Sequence, residues 1–264
     1  MASATLLIIA HGSRSEVWND AIREFARQAW QLQPTGHPFS KIACAFMEHG
    51  EPGIPESIER LAQAQEPIVV MPLFLSIAKH MKEDVPQLIA QAATQDSAQA
   101  ALQTFRCGGV PVRLLAPIPA PNLLAENLAG RVQQRVGETS GAGVVMVFYG
   151  TRSHAQEWDA LAHETQLALQ EQLAGAAVAA AYAGERADFE PTQLTERIRT
   201  LQADCEPVVI APALVAYGKI QREVIPQAMA QIQTPPAVIN LDDAVLPDER
   251  LVQRVVCYAS EHGM

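Results

Sequence analysis

Short, wholly apolar runs alternate along this chain with stretches in which apolar residues recur every three to four positions. TLLIIA (5–10) is the first such run, and it has the continuous hydrophobicity of a strand buried on both faces. From about Ser15 to Gln33 the pattern turns helical, with Trp18, Ile22, Phe25, Ala26 and Ala29 on one face, until Pro34, Gly36 and Pro38 interrupt it. KIACAFM (41–47) predicts a second strand, and a helix with Pro55 in its first turn runs to about Ala64. PIVVMPLFL (67–75) predicts a third strand, 80–94 a helix with Pro86 in its first turns, VRLLAPI (112–118) a fourth strand and 121–136 a helix. The stretch 94–109 has no clear period and reads as helix or loop. After the glycine-rich GETSGAG the order restarts, with strands near 144–149, 177–183, 207–214 and 236–241 and helices near 155–173, 191–202, 220–232 and 247–261. Alternating β and α elements predict an α/β fold: two tandem, structurally duplicated, doubly wound parallel-sheet domains, 1–137 and 142–264.

The duplication is visible in the residues themselves. LLIIAHGSR near the start aligns with VVMVFYGTR in the second half, and IVVMPLFLSIAKHMKEDVP (68–86) aligns with VVIAPALVAYGKIQREVIP (208–226). Lys79 matches Lys219, Lys82 matches Arg222 and Glu83 matches Glu223, but His11 becomes Tyr149 and His80 becomes Ile220. One scaffold used twice, with a histidine pair in one copy only, points to a single metal or acid–base site on a pseudo-symmetric frame.

Composition narrows the function without naming it. The formal net charge is −10, which disfavours general nucleic-acid binding through phosphate neutralisation. The four cysteines form no CxxC, so neither a zinc ribbon nor a redox pair is signalled. No apolar run approaches the ~20 residues of a membrane span, and the opening MASATLLIIAHG has no basic n-region, so the expected compartment is the cytoplasm. There is no GxGxxG, no GxxxxGK[ST] and no GxSxG, so neither a nucleotide cofactor nor a serine hydrolase is expected.

In open α/β sheets ligands bind outside the carboxyl ends of the strands. His11 directly follows the first predicted strand, Glu48 and His49 follow the second, and His80 comes five residues after the third. Two imidazoles and a carboxylate suit a borderline divalent ion, and the same trio can move protons near neutral pH. His49 reads as an exposed loop residue and Ser13 as a helix cap. Arg14, Lys79 and Lys82 in one half, and Arg152, Lys219 and Arg222 in the other, gather near strand ends; in so acidic a chain they suggest an anionic small-molecule ligand.

LLIIAHGSR, then FMEHGEPGIPESIERL, then VVMPLFLSIAKHMKEDVP, in that order and spacing, resemble the sirohydrochlorin chelatases, the class II chelatases of cobalamin and siroheme biosynthesis. The remainder resembles the degenerate second half of their long, two-domain members. The resemblance implies a lyase that inserts Co²⁺, Fe²⁺ or Ni²⁺ into sirohydrochlorin, an acidic tetrapyrrole, without ATP. It implies that His11, His80 and Glu48 serve as metal ligands and catalytic groups. The cationic residues named above would contact the substrate, and the second half would form the other wall of the cleft. A monomer or a homodimer, with no nucleic-acid or membrane partner, is expected. A chelatase for another tetrapyrrole, or a metal or tetrapyrrole carrier without turnover, stands as the alternative.

Overall fold

The computed structural model describes residues 3–33, 37–74, 80–98, 102–117, 120–232, 237–246 and 248–263; of His80, Lys82, Ser97, Ala98 and Ala120 it describes the backbone only. The chain divides into two units, Met1–Ile118 with Pro247–Met264, and Pro119–Leu246.

The first unit is built on β1 (Ala4–Ala10), whose every residue is buried, as its continuous apolar run predicts. It lies between β2 (Phe39–Phe46) and β3 (Ile68–Pro72), parallel to both. The sheet continues through β6 (Val110–Leu115), β5 (Leu102–Cys107) and β4 (Thr94–Ala98), giving the order β2-β1-β3-β6-β5-β4. β6 is parallel to β3, whereas β5 and β4 run antiparallel to their neighbours. The stretch expected to be helix or loop is thus largely a pair of strands, β4 at the edge of the sheet and β5 next to it. TQDSA and LQTFRC lack the strict alternation of a half-buried strand, and their backbone pairing supplies what their side-chain pattern does not signal.

Successive residues of a strand face opposite sides of the sheet. Ile68 and Val70 join Leu7 and Ile9 against α2 (Ile54–Ala62) and α3 (Val85–Ala92), in one apolar cluster with Ile58, Leu61 and Ile89. Val69, between them, meets Gly263 of α8 (Glu249–Gly263) on the other face, where α8 also packs with α1 (Glu16–Leu32). A π-helical turn, His80–Asp84, runs directly into α3.

The second unit repeats the plan with a wholly parallel sheet in the order β10-β9-β7-β8, from β7 (Gly143–Phe148), β8 (Ala177–Tyr182), β9 (Val208–Pro212) and β10 (Val238–Asn240). α6 (Thr192–Gln202) and α7 (Ile225–Ala230) cover one face, where Leu194, Ile198 and Ile225 pack on Val145, Val147 and Ile210. A second π-helical turn, Ile220–Val224, precedes α7, at the place where His80–Asp84 precedes α3.

The two units do not follow the expected division at 137/142. α4 (Ala120–Val136) belongs to the second unit, packed with α5 (Ala155–Gln172), while the last helix of the chain belongs to the first. Polar anchors account for this. Arg131 of α4 donates from Nη1 to the carbonyl of Pro212 at the end of β9 (2.9 Å) and from Nε to Asp243 (2.9 Å), and its side chain is only 9% exposed. Arg113 of β6 donates to the carbonyl of Gly263 at 2.7 Å, capping the C-terminal end of α8. Neither tie has a signal in hydrophobic periodicity.

One polar cluster gives the second unit a definite pH dependence. The Tyr182 hydroxyl donates to Asp159 at 2.8 Å, and Arg186 donates to both carboxylate oxygens at 2.6 and 3.2 Å while its guanidinium lies over the Tyr182 ring. The hydrogen bond from Arg186, helped by that from Tyr182, holds the Asp159 carboxyl below its ordinary value of 3.8. A depressed folded-state pKa contributes stability above the unfolded value that is lost as pH falls through the folded one. Asp159→Asn should therefore lower the urea midpoint most at neutral pH, and its difference from the native chain should shrink below pH 3.8. A difference that stays constant from pH 7 to pH 3 contradicts this assignment.

Candidate metal and tetrapyrrole site

The turn after β1 is shaped by Gly12. It stands at φ +89°, a region that glycine enters without penalty, and a Cβ built there would lie 1.8 Å from the carbonyl oxygen of Glu48. Only glycine lets the loops after β1 and β2 approach so closely. The Glu48 N–H in turn donates to the His11 carbonyl at 3.0 Å. These two contacts bring the side chains together, with His11 Nε2 3.5 Å from Glu48 Oε1 and both groups well exposed, 38% and 50%. Two of the three residues expected from strand-end position alone are therefore adjacent.

His49, read from sequence as a loop residue, is part of the same cluster. It takes the left-handed conformation, φ +53°, and its Nε2 lies 3.6 Å from the same Glu48 oxygen. Behind both loops sits Asn19, fully buried on α1. Its Oδ1 accepts from the Ser13 N–H (2.9 Å), and its Nδ2 donates to the carbonyls of Ser13 (2.8 Å) and His49 (2.9 Å). Ser13 also accepts from the Ser15 N–H at 3.1 Å, which organises the turn rather than capping the helix proper. Sequence reasoning missed Asn19, although a signal was present: it falls in register with Ile22 and Ala26, on the buried stripe of α1. An uncharged polar side chain on such a stripe must be hydrogen-bonded.

His80 opens the π-helical turn before α3, and its side chain lies outside the described residues, as does that of Lys82; Lys79 lies outside them altogether. π-Helical turns occur frequently at functional sites. Among the described residues no group of three or more His, Cys, Asp and Glu side chains is gathered tightly enough to hold a metal ion. The described cluster is thus one imidazole–carboxylate pair, flanked by a second imidazole.

The second unit has the same loop architecture with different side chains. Gly150, at φ +67°, takes the place of Gly12, and a Cβ on Gly184 would lie 2.4 Å from the Tyr149 carbonyl oxygen. Tyr149, in the place of His11, meets Phe189 edge-on at 5.9 Å, and burial together with nearby Glu185 pushes its hydroxyl above the usual tyrosine range. Lys219 lies 4.2 Å from the centre of the Phe189 ring, a cation–π arrangement. Arg152 is ion-paired with Asp188 through Nη2, so an anionic ligand at its guanidinium would share it with that carboxylate. Arg222 and, in the first unit, Arg14 are exposed.

The sequence profile of the CbiX family matches residues 5–135. That match takes in almost all of β1, the whole of β2 to β6 and almost all of α4. It is 30% identical over 148 residues to the chloroplastic sirohydrochlorin ferrochelatase of Arabidopsis thaliana, an alignment covering 55% of this chain and 59% of that protein. It is 25% identical over 130 residues to the sirohydrochlorin cobaltochelatase of Sulfurisphaera tokodaii, covering 49% of this chain and 91% of the other. Among solved structures, SirB from Bacillus subtilis with Fe³⁺ shares the fold with a TM-score of 0.71 at 17% identity, over 98% of this chain and 95% of that one. The chain spans 59% of the length of the Arabidopsis relative.

The CbiX-matched segment contains His11, Arg14, Glu48, Lys79, His80 and Lys82. Arg152, Lys219 and Arg222 lie beyond it, in the half that has lost both histidines. No helix among the described residues is long and apolar enough to cross a membrane.

Proposed function

We propose that this chain is a metal chelatase of the CbiX family that inserts Co²⁺ or Fe²⁺ into sirohydrochlorin, with Ni²⁺ as a further candidate, and uses no nucleotide. The observation that carries the reading is the His11–Glu48 pair at the carboxyl ends of β1 and β2, inside the family-matched half. The 3.5 Å between Nε2 and Oε1 is close to the ~3.4 Å edge of a tetrahedron whose ligands stand about 2.1 Å from the ion. His80 is proposed as the third ligand. Two imidazoles and one carboxylate leave coordination positions open, so the ion can exchange water for pyrrole nitrogens without first leaving the protein.

Insertion of a dication releases the two pyrrole protons of the ring. His11 and His80 are the proposed acceptors, since imidazole titrates nearest ambient pH. Because both histidines also bind the ion, each is free to take a proton only as the metal moves onto the ring, which couples the two transfers. Proton release gives a direct test. An anaerobic, weakly buffered mixture of chain, Co²⁺ and sirohydrochlorin should release two protons per metal consumed, read with an indicator dye. Binding of the ring without proton release would identify a carrier instead.

Arg14, Lys79 and Lys82 from the first unit, and Lys219, Arg222 and Arg152 from the second, are the proposed contacts for the substrate carboxylates. Charge-assisted bonds to substrate groups remote from the reacting nitrogens are the same in ground and transition states, so they act on affinity rather than on the chemical step. Lys219→Ala and Arg222→Ala should each raise the KM for sirohydrochlorin about tenfold while kcat stays within about twofold. Steady-state initial rates decide it, and a fall in kcat at unchanged KM is the contrary result. The proposed compartment is the cytoplasm, and the proposed active species is a monomer or a homodimer.

A further inference from the structure

Asn19 joins the two loops that carry the proposed ligands. Its Nδ2 binds the Ser13 carbonyl, two residues beyond His11, and the His49 carbonyl, one residue beyond Glu48, at 2.8 and 2.9 Å. Its Oδ1 takes the Ser13 N–H, so three of the four hydrogen bonds an amide can make are formed by a side chain with no solvent exposure. The carbonyl it holds belongs to a residue in the left-handed conformation, so the path of the chain just after Glu48 is fixed from the α1 side.

The second unit serves as an internal control. There the corresponding helix offers Trp158, one position further along, whose indole N–H binds the Thr151 hydroxyl at 3.0 Å. An indole has a single N–H and no acceptor, so it cannot bracket two loops as an amide does. The position that matches Asn19 is Glu157, whose carboxylate has no N–H to donate, so the copy of the fold without the histidines is also the copy without this amide.

We infer that Asn19 is a positioning residue for metal capture: by tying the loop after β1 to the loop after β2, it sets the separation of His11 and Glu48. This inference rests on the chelatase reading for its chemistry, though the bracket itself does not. Outer groups that orient metal ligands typically contribute 10–100-fold to metal affinity.

The test compares the native chain with Asn19→Ala, Asn19→Asp and Val252→Ala, the last a fully buried position on α8 of the same unit. Asn19→Asp keeps an acceptor for the Ser13 N–H but loses the donors to both carbonyls. Titration with Co²⁺, followed by visible absorbance, should show affinity lowered 10–100-fold in both Asn19 variants and within twofold of native in Val252→Ala. Thermal unfolding checks that Val252→Ala is destabilised at least as much. Native Co²⁺ affinity in Asn19→Ala, or an equal loss in Val252→Ala, overturns the inference. If the native chain takes up no Co²⁺, the chelatase reading falls, and the imidazole NMR resonances of His11 and His49 decide the bracket alone. Shifts in Asn19→Ala but not in Val252→Ala support it; unchanged resonances overturn it.

Discussion

Gly12→Ala should disable the protein more thoroughly than replacement of any single ligand, because it acts on fold and site together. At φ +89° an alanine pays the left-handed penalty of about 1–2 kcal/mol. Its Cβ would also meet the Glu48 carbonyl oxygen at 1.8 Å, a backbone atom that cannot rotate away. Overpacking of this kind typically costs a further ~1–3 kcal/mol, because the loops must separate. Separation breaks the 3.0 Å bond from the Glu48 N–H to the His11 carbonyl and carries the two side chains apart. The expected result is a loss of about 2–5 kcal/mol in urea unfolding and no measurable metal insertion even where the protein remains folded. Near-native activity in folded Gly12→Ala would show that the close approach of the loops is dispensable.

His11→Tyr should produce the complementary result, with chemistry lost and fold kept. The second unit already carries tyrosine at this place, in the same turn with a left-handed glycine next to it. The position is also partly exposed in the first unit, so the larger ring need not enter the core. Stability should change by less than about 1 kcal/mol, as for surface substitutions generally. Removal of one ligand and proton acceptor should slow insertion by about two to four orders of magnitude. The converse change, Tyr149→His, should confer nothing, because Phe189 and Lys219 occupy the neighbouring space in the second unit. Initial insertion rates and urea midpoints, taken together, check both. A His11→Tyr variant that inserts metal at the native rate would remove His11 from the mechanism.

Much of this arrangement was legible in the sequence because strand-end positions are set by strong local signals. The unbroken apolar run at 5–10 marks a buried parallel strand, and whatever polar residue follows it must lie at the sheet's carboxyl edge. His11 and Glu48 follow two parallel strands, their side chains lie 3.5 Å apart, and comparison of the two halves marks His11 and His80 as the residues present in one half only. Features that rest on long-range polar contacts were not legible. The allocation of α4 to the second unit and α8 to the first is anchored by Arg131 and Arg113, each bonding a backbone carbonyl far away in sequence. Strands β4 and β5 carry mixed polar and apolar residues that match neither period. His49 is the exposed loop residue that the sequence suggests, but nothing local reveals that its ring lies near Glu48 and that its carbonyl is held by Asn19. The cations of the second unit were read as a group, yet they differ: Arg152 is bound to Asp188, Lys219 lies over Phe189 and Arg222 is exposed.

The central claim is that the histidine-bearing unit, which matches the CbiX profile, inserts metal into sirohydrochlorin. An anaerobic absorbance time course of sirohydrochlorin with Co²⁺, and in parallel with Fe²⁺ and Ni²⁺, tests it most directly, using the native chain and the His11→Ala/His80→Ala variant. The account predicts a metal-dependent spectral change faster than the uncatalysed control with the native chain, and at the uncatalysed rate with the variant. A native chain that leaves the macrocycle spectrum unchanged, or a double variant that matches it in rate, would contradict the account.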